Sequence, residues 1–168
     1  MLRTLVYASC TALAASAAWA QEPPLGIEMT DASGNSVESV SLFATPNGVL
    51  LAPSLTGLPS GPHGFHIHET GECDAAGGFE SAGGHYAPEG NSHGYEVEGG
   101  PHAGDMPNQY VAADGKLQAE VFNPRVSLGG GDADIAGRAL IVHEGADDYE
   151  SQPSGEAGSR IACGVIGS

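Results

Sequence analysis

The stretch "HGFHIHE" (residues 63–69) carries the strand pattern from which the fold can be worked out. Successive side chains of a β-strand point to opposite faces, so His66 and His68 share one face and Ile67 lies on the other. Ile67 therefore faces an apolar core, and the two imidazoles form half of a nitrogen-rich metal site. The alternative for this pair is two hydrogen-bonded surface histidines.

Short apolar or alternating runs, bounded by glycine, proline and other turn residues, fill most of the chain. We predict eight strands, at residues 26–30, 37–43, 48–53, 63–69, 109–113, 116–122, 138–144 and 160–167. The Asp114–Gly115 pair between two of them predicts a hairpin. Eight short strands with regular turn signals predict an all-β fold, an antiparallel sandwich or barrel.

Two long segments interrupt this pattern. Residues 70–108 show no strand or helix pattern and contain ten glycines, and residues 145–159 form a second polar loop. Loops longer than about 15 residues are uncommon in compact domains and are usually functional or disordered. The sequence shows no internal repeat and no second domain, and 168 residues suit a single core.

The first of these loops holds three histidines and an aspartate. His85, His93, His102 and Asp105 supply three imidazoles and one carboxylate, which is a complete tetrahedral zinc set. A closed zinc site orders a loop that has no core of its own; the alternative is a solvated loop that is rich in histidine. His143 ends the apolar run "ALIVH" and can add a third nitrogen to the strand pair, which suits copper or zinc.

The charge of the chain excludes some classes of partner. The formal net charge is −16, with 21 acidic residues against five basic ones. A surface this acidic does not bind nucleic acid or anionic lipid through charge. High charge also occurs in disordered chains, but 40% of these residues are hydrophobic and the acids are scattered.

The first twenty residues differ in composition from the rest. Residues 1–20 combine Arg3, an apolar stretch and a small-x-small ending at residues 18–20, which is typical of a secretory signal peptide cleaved before Gln21. A membrane anchor is the alternative, but the apolar core is shorter than the roughly twenty residues that a spanning helix needs.

Cleavage there leaves residues 21–168 as one domain. The loss of Arg3 changes the net charge from −16 to −17. Of the three cysteines, Cys73 and Cys163 remain, and an even pair in an exported chain suggests a disulfide.

Five segments together resemble the copper–zinc superoxide dismutase family. They are "GPHGFHIHE" (61–69), "SAGGHYAP" (81–88), "GPHAGDMPN" (100–108), "LIVHEGADDY" (140–149) and "GSRIACGVIG" (158–167). They follow the family's order and jointly are far more specific than any one motif. The resemblance implies an eight-stranded Greek-key β-barrel with two long functional loops. It also implies dismutation of superoxide to dioxygen and hydrogen peroxide by one-electron cycling of copper.

The resemblance also implies two ligand sets. The implied copper ligands are His66, His68, His85 and His143. The implied zinc ligands are His85, His93, His102 and Asp105. His85 then bridges both metals and supplies a proton during the reaction, and zinc holds it in place.

Further residues take supporting roles by the same resemblance. Arg160 attracts the anionic superoxide and, with His85, is an expected catalytic residue. Asp147 links the histidines at positions 66 and 93, and Cys73 forms a disulfide with Cys163. His63 is expected to bond to backbone as a structural residue.

The sequence also allows other interpretations. Arg160 could form a surface ion pair with Glu156 or Asp147. The whole chain could be a non-catalytic copper carrier or zinc buffer on the same barrel, whereas a structural adhesion domain leaves the histidines unexplained. The "DDY" segment and the short loop after Glu69 resemble bacterial members, which implies a periplasmic enzyme that is a monomer or a homodimer and has no membrane attachment after cleavage.

Overall fold

The structure, a computed structural model, describes residues 23–167. Within them lie nine β-strands and one short 3-10 helix, Glu80–Ala82. The strands are β1 (Leu25–Asp31), β2 (Ser36–Thr45), β3 (Gly48–Leu55), β4 (Gly61–His68), β5 (Asp105–Val111), β6 (Leu117–Gln118), β7 (Val121–Asn123), β8 (Ala139–His143) and β9 (Arg160–Val165). The predicted all-β class is confirmed.

The strands form one antiparallel sheet that curls into a nearly closed barrel. Hydrogen-bonded neighbours follow the order β5–β4–β8–β9–β1–β2–β3–β6, and β7 also pairs with β3. In the chain β3 is followed by β4, and β7 by β8, although neither pair is adjacent in the sheet, which is the connectivity of a Greek key. With β6 and β7 taken as one interrupted strand, the barrel has the eight strands expected.

The strand predicted over residues 116–122 is interrupted between β6 and β7. β6 pairs with Ser54 and Leu55 of β3, and β7 pairs with residues 49–51, so the gap lies opposite Pro53. Pro53 has no backbone N–H and cannot donate a ladder hydrogen bond there. Its carbonyl oxygen still accepts a long bond of 3.4 Å from the backbone nitrogen of Ala119.

The prediction of a hairpin at Asp114–Gly115 is right for the turn but wrong for the pairing of the two strands. The turn forms, since the backbone nitrogen of Ala112 donates to Lys116 O at 2.8 Å and Gly115 adopts a positive φ of 79°. However, β5 and β6 share no ladder in the described part of the chain, because β6 pairs with β3 instead. The turn therefore joins the two ends of the sheet, where the barrel comes close to closing.

The long loop predicted over residues 70–108 is shorter than expected. β5 begins at Asp105 rather than at residue 109, so the last four residues of that segment belong to the sheet. The 3-10 helix also lies within it, at Glu80–Ala82. The second loop, residues 145–159, contains no strand or helix.

The core lies inside the barrel, and two strands are buried on both faces. On β4, Phe65 and Ile67 belong to the main core, and on β8 so do Leu140 and Val142. The outer face of β8 is also buried, in a second apolar cluster that contains Ile141. Residues on the outer faces of these two strands are therefore enclosed. Both outer faces carry candidate histidines.

The predicted signal peptide, residues 1–20, lies outside the described residues. In the part that is described, no helix has the length and apolar character that a membrane crossing requires.

Truncation of a β4 core side chain tests the alternation on which the site depends. Ile67 is fully buried, so Ile67→Ala removes apolar contacts and leaves a cavity, and we expect the free energy of unfolding to fall by about 2–5 kcal/mol. The measurement is urea unfolding of the metal-free protein. Tyr110 on β5 is 73% exposed, so Tyr110→Ala is the control and should cost no more than about 0.5 kcal/mol. Equal losses in both variants would contradict the assigned faces.

Candidate metal centre

Strand pairing puts residues of the candidate site directly opposite one another. Three backbone pairs join them: His66 with Asp105, His68 with His85, and His143 with Arg160. The members of each pair are between 17 and 39 residues apart in the chain. The register of the sheet therefore assembles much of the site before any side chain is considered.

Two histidines of β4, His66 and His68, lie on the outer face of the barrel wall, under the two long loops. His66 and His68 are no more than 1% exposed. Gly64 lies on the same face and lets the second loop approach closely, because a Cβ there would lie 2.9 Å from the side chain of Ala157. The second loop therefore covers part of this face.

Four buried imidazoles form a group that we call the four-histidine cluster: His66, His68, His85 and His143. One ring nitrogen from each lies within 4.8 Å of the others. The Nδ1 atoms of His68 and His143 donate to the carbonyl oxygens of Gly83 at 2.9 Å and of residue 158 at 3.3 Å. A carbonyl only accepts, so these Nδ1 atoms carry the hydrogen and both Nε2 atoms can bind a metal.

Asp147 connects this cluster to a second one. Its Oδ2 accepts a hydrogen bond of 2.7 Å from His66 Nε2, and its Oδ1 accepts one of 3.0 Å from His93 Nε2. The carboxylate fixes the orientation of both rings and leaves each Nδ1 as the metal-binding atom. Asn108 holds Asp147 in turn, through two hydrogen bonds of 2.8 Å with its backbone.

The second group, which we call the three-histidine cluster, consists of His85, His93, His102 and Asp105. Asp105 Oδ1 lies 2.8 Å from His85 Nδ1 and 3.3 Å from His102 Nδ1. Asp105 Oδ2 lies 3.1 Å from His93 Nδ1, although not in hydrogen-bond geometry. Tetrahedral zinc with bonds of about 2.0–2.1 Å holds its ligand atoms about 3.3 Å apart, so this spacing fits zinc closely.

Three unpaired nitrogens show that both clusters suit metal ions. Among the described residues, His66 Nδ1, His85 Nε2 and His93 Nδ1 are buried ring nitrogens without a hydrogen-bond partner. An unsatisfied buried polar atom costs about 1–3 kcal/mol, and a metal bond removes that cost. His85 belongs to both clusters, with Nδ1 beside Asp105 and Nε2 unpaired, so one ring can serve two metals. Imidazole and carboxylate donors are those that copper and zinc accept.

Burial keeps three imidazoles of the four-histidine cluster neutral. It lowers the pKa of His85 to about 4, against the opposing effect of the hydrogen bond that His85 donates to Asp105. Burial, together with the neighbouring imidazoles, lowers the pKa of His143 to about 3 and holds the pKa of His68 far below its ordinary value. Neutral imidazole is the form that binds a metal, so no proton has to be removed from these rings at neutral pH.

The two aspartates give the three-histidine cluster a negative charge. Burial opposes ionisation of Asp105, but hydrogen bonds from His102 and His85 and the close contact with His93 outweigh it and hold its pKa well below the usual range. Burial likewise opposes a charge on His93, yet the close contact with Asp105, the hydrogen bond to Asp147 and the negative charges of both carboxylates raise the pKa of that ring to about 9. In the metal-free protein a proton sits where a metal cation can replace it.

A cleft of about 430 Å³ opens onto the four-histidine cluster. His68, His85 and His143 line it, together with Arg160 and Glu80. The Arg160 guanidinium donates from Nη1 to Phe79 O and from Nη2 to Gly83 O, both at 2.7 Å. The arginine is therefore fixed beside the histidines.

The carboxylate that Arg160 pairs with is not one that the sequence suggested. Among the described residues, Arg160 forms no ion pair with Glu156 or Asp147. Its Nη2 lies 3.5 Å from an oxygen of Glu80, whose side chain is 77% exposed.

A disulfide and a small apolar cluster hold the loop that carries these carbonyls. Cys73 is bonded to Cys163 of β9, as the resemblance implied. Phe79 is fully buried against Ile141 and Cys163, in the second apolar cluster. Because β9 also carries Arg160, the same strand anchors both the arginine and the loop that binds it.

Comparison with known proteins gives the family. Residues 37–166 match the family model described as copper/zinc superoxide dismutase. The chain belongs to the copper/zinc superoxide dismutase family.

Members of this family resemble the chain over most of its length. It is 43% identical over 156 residues to superoxide dismutase [Cu-Zn] 2 of Aquifex aeolicus, which covers 90% of this chain and 91% of that one. It is 38% identical over 157 residues to superoxide dismutase [Cu-Zn] of Legionella pneumophila, covering 93% of each. The crystal structure of a double mutant of a SOD-like protein from Bacillus subtilis superposes with a TM-score of 0.80 at 38% identity, covering 85% of this chain and 97% of that one.

The structure brings together every residue that the sequence singled out for the two ligand sets. His63, expected to be structural, contacts the carbonyl oxygens of His143 and Pro59 through its two ring nitrogens, each at 2.8 Å. Sequence reasoning missed three residues that support the site from other segments. Besides Asn108 and Glu80, the side-chain amide of Gln152 exchanges hydrogen bonds of 3.0 and 2.8 Å with the backbone of His93, and no local pattern marks these residues.

Gly155 is required for the contact between Asp147 and His93. It has a φ of +70°, and a Cβ there would lie 2.0 Å from Asp147 Oδ1 and 2.7 Å from His93 Nε2. We expect Gly155→Ala to disrupt this hydrogen bond and weaken zinc binding about 10- to 100-fold, as measured by competition with a chelator.

Gly90→Ala is the matched control for that experiment. Gly90 has the same φ of +70°, but a Cβ there would meet no atom within 4 Å. Gly90→Ala therefore carries the same backbone strain without the clash, and its zinc affinity should stay close to that of the unchanged protein. Equal losses in the two variants would show that strain, not the hydrogen bond to Asp147, is responsible.

Proposed function

We propose that this protein is an exported superoxide dismutase that uses copper in the four-histidine cluster and zinc in the three-histidine cluster. The observation that carries this proposal is His85, a single buried imidazole shared by the two clusters with one nitrogen unpaired. A metal carrier needs only one such cluster, whereas the shared ring couples two buried clusters that border one cleft. The cleft beside Arg160 gives a small anion access to the first cluster.

The two metals have different parts in this proposal. Copper supplies the one-electron exchange with superoxide, because it cycles between Cu(II) and Cu(I), whereas zinc has no redox chemistry. His66, His68, His85 and His143 hold the copper, and His85, His93, His102 and Asp105 hold the zinc. Asp147 keeps His66 and His93 in the orientation that both clusters require.

His85 and Arg160 are the residues that act on the substrate. His85 Nε2 has no hydrogen-bond partner among the described residues and its ring lines the cleft, so this atom would be able to carry a proton to the reduced product whenever it is not bound to copper. His85 Nδ1 stays beside Asp105, which keeps the ring in place while Nε2 gains or loses that proton. The fixed Arg160 guanidinium attracts and orients the superoxide anion.

Metal loading and superoxide decay together test this function. Residues 21–168, reconstituted with both metals, should hold about one copper and one zinc per chain and accelerate superoxide decay in stopped-flow measurements. His143→Ala removes a ligand of copper alone, so it should lose copper and activity but keep zinc. His102→Ala is the reciprocal variant and should lose zinc first.

Two results would contradict the proposal. Full loading with both metals and no acceleration of superoxide decay would identify a copper carrier on the same barrel. Retention of copper in His143→Ala would show that the four-histidine cluster is assigned wrongly.

Export is the second part of the proposal. We infer that residues 1–20 are a signal peptide and that residues 21–168 function in the periplasm. The support is the composition of those twenty residues, the similarity to bacterial relatives, and the Cys73–Cys163 disulfide, which suits an oxidising compartment.

Expression of the full chain in a Gram-negative bacterium tests the export. The protein should appear in the periplasmic fraction with Gln21 at its N-terminus, as identified by mass spectrometry. Ala20→Arg places a bulky charge at the cleavage site and should leave the uncleaved chain with the membrane fraction. Full-length protein in the cytoplasm would contradict the proposal.

A further inference from the structure

We propose that Glu80 is a specificity-determining residue that shifts the selectivity of the cleft away from divalent anions and towards small monovalent ones. The inference rests on the proposed superoxide dismutase function and adds to it a basis for excluding competing anions. It begins from an exposed carboxylate that stands beside the one arginine lining the entrance to a site for an anion.

Arg160 is held in place by backbone and cannot turn away from Glu80. Two of its terminal nitrogens donate to the carbonyl oxygens of Phe79 and Gly83 at 2.7 Å. Its side chain is 14% exposed, compared with 77% for Glu80. An incoming anion therefore meets a fixed guanidinium with an exposed carboxylate at its edge.

The position of Glu80 is fixed at its backbone. It is the first residue of the 3-10 helix Glu80–Ala82, directly after Phe79, which has a left-handed φ of 62°. Phe79 is buried against Ile141 and Cys163, and its carbonyl oxygen is one of the two that bind Arg160. The Glu80 side chain is exposed, and its backbone is held at the edge of the cleft.

The side chains that line the cleft contain one fixed positive charge and one negative charge, apart from the imidazoles. The carboxylate of Glu80 partly cancels the attraction of Arg160 for an anion. The repulsion from Glu80 scales with the charge of the anion, so a dianion loses twice the binding free energy that a monoanion loses. The pair thus lowers the affinity for every anion but lowers it most for sulfate-like and phosphate-like ions.

Anion titration of the copper- and zinc-loaded full domain tests this proposal without requiring turnover. Azide, a monoanion, is followed by the change it causes in the visible absorption of the copper, and sulfate, a dianion, is measured by competition with azide. All titrations use one ionic strength. We expect Glu80→Gln to tighten azide binding about threefold and sulfate binding about tenfold, the square of the first factor.

Glu120→Gln is the matched control. It makes the same change in net charge, and Glu120 is exposed between β6 and β7, away from the residues that line the cleft. It should alter both affinities by much less than Glu80→Gln does. In stopped-flow assays at low salt, Glu80→Gln should also raise the superoxide decay rate about threefold, and this gain should shrink as salt is added.

Two results would overturn the proposal. If Glu80→Gln and Glu120→Gln change the anion affinities equally, only the net charge of the protein matters. If Glu80→Gln changes the azide and sulfate affinities by the same factor, Glu80 does not discriminate between anions by their charge. A failure of the proposed function looks different: the loaded wild-type domain binds azide but does not accelerate superoxide decay. The two titrations then decide the role of Glu80 by themselves.

Discussion

The pairing of β4 with β5 and β8 is the constraint on which the rest of the structure depends. The alternation of β4 commits Phe65 and Ile67 to the barrel core, so His66 and His68 must stand on the outer face. A shift of one residue would put the imidazoles into the core and the apolar side chains under the loops. Burial of apolar side chains therefore fixes the register of the strands. The metal clusters depend on this register, but metal binding is not needed to set it.

The two long loops depend on polar and covalent contacts with that wall rather than on a core of their own. Asp147 binds one histidine from the wall and one from the first loop, and Gln152 binds the backbone of the latter. The disulfide ties the first loop to β9. Without metal, the carboxylates of Asp105 and Asp147 lie close to several imidazoles. Their negative charge can be balanced there by a metal cation or by a proton.

The sequence predicted the wall better than the loops, for a physical reason. Strand alternation and turn residues are local signals, and they located all eight strands of the barrel. The exceptions came from distant partners, since Pro53 interrupts the strand that faces it and β6 leaves its turn to pair with β3. The ligand sets followed from family resemblance, and the structure brings them together. Asn108, Gln152 and Glu80 act only through contacts between segments far apart in the chain, so no local pattern could indicate them.

The negative net charge of the chain should repel its proposed substrate, which is an anion, but this repulsion weakens with the distance between the acidic residues and the cleft. Screening reduces the effect of charges more than about 10 Å away at 0.1 M salt, so acidic residues beyond that distance act weakly at the cleft. The field that an anion meets there is set by Arg160, by any bound metals and by Glu80. A chain with a formal charge of −16 can therefore attract an anion to one place, and the carboxylate that matters most is the one beside the guanidinium. Net charge describes the behaviour of the whole molecule in solution, whereas selectivity depends on the few charges that line the cleft.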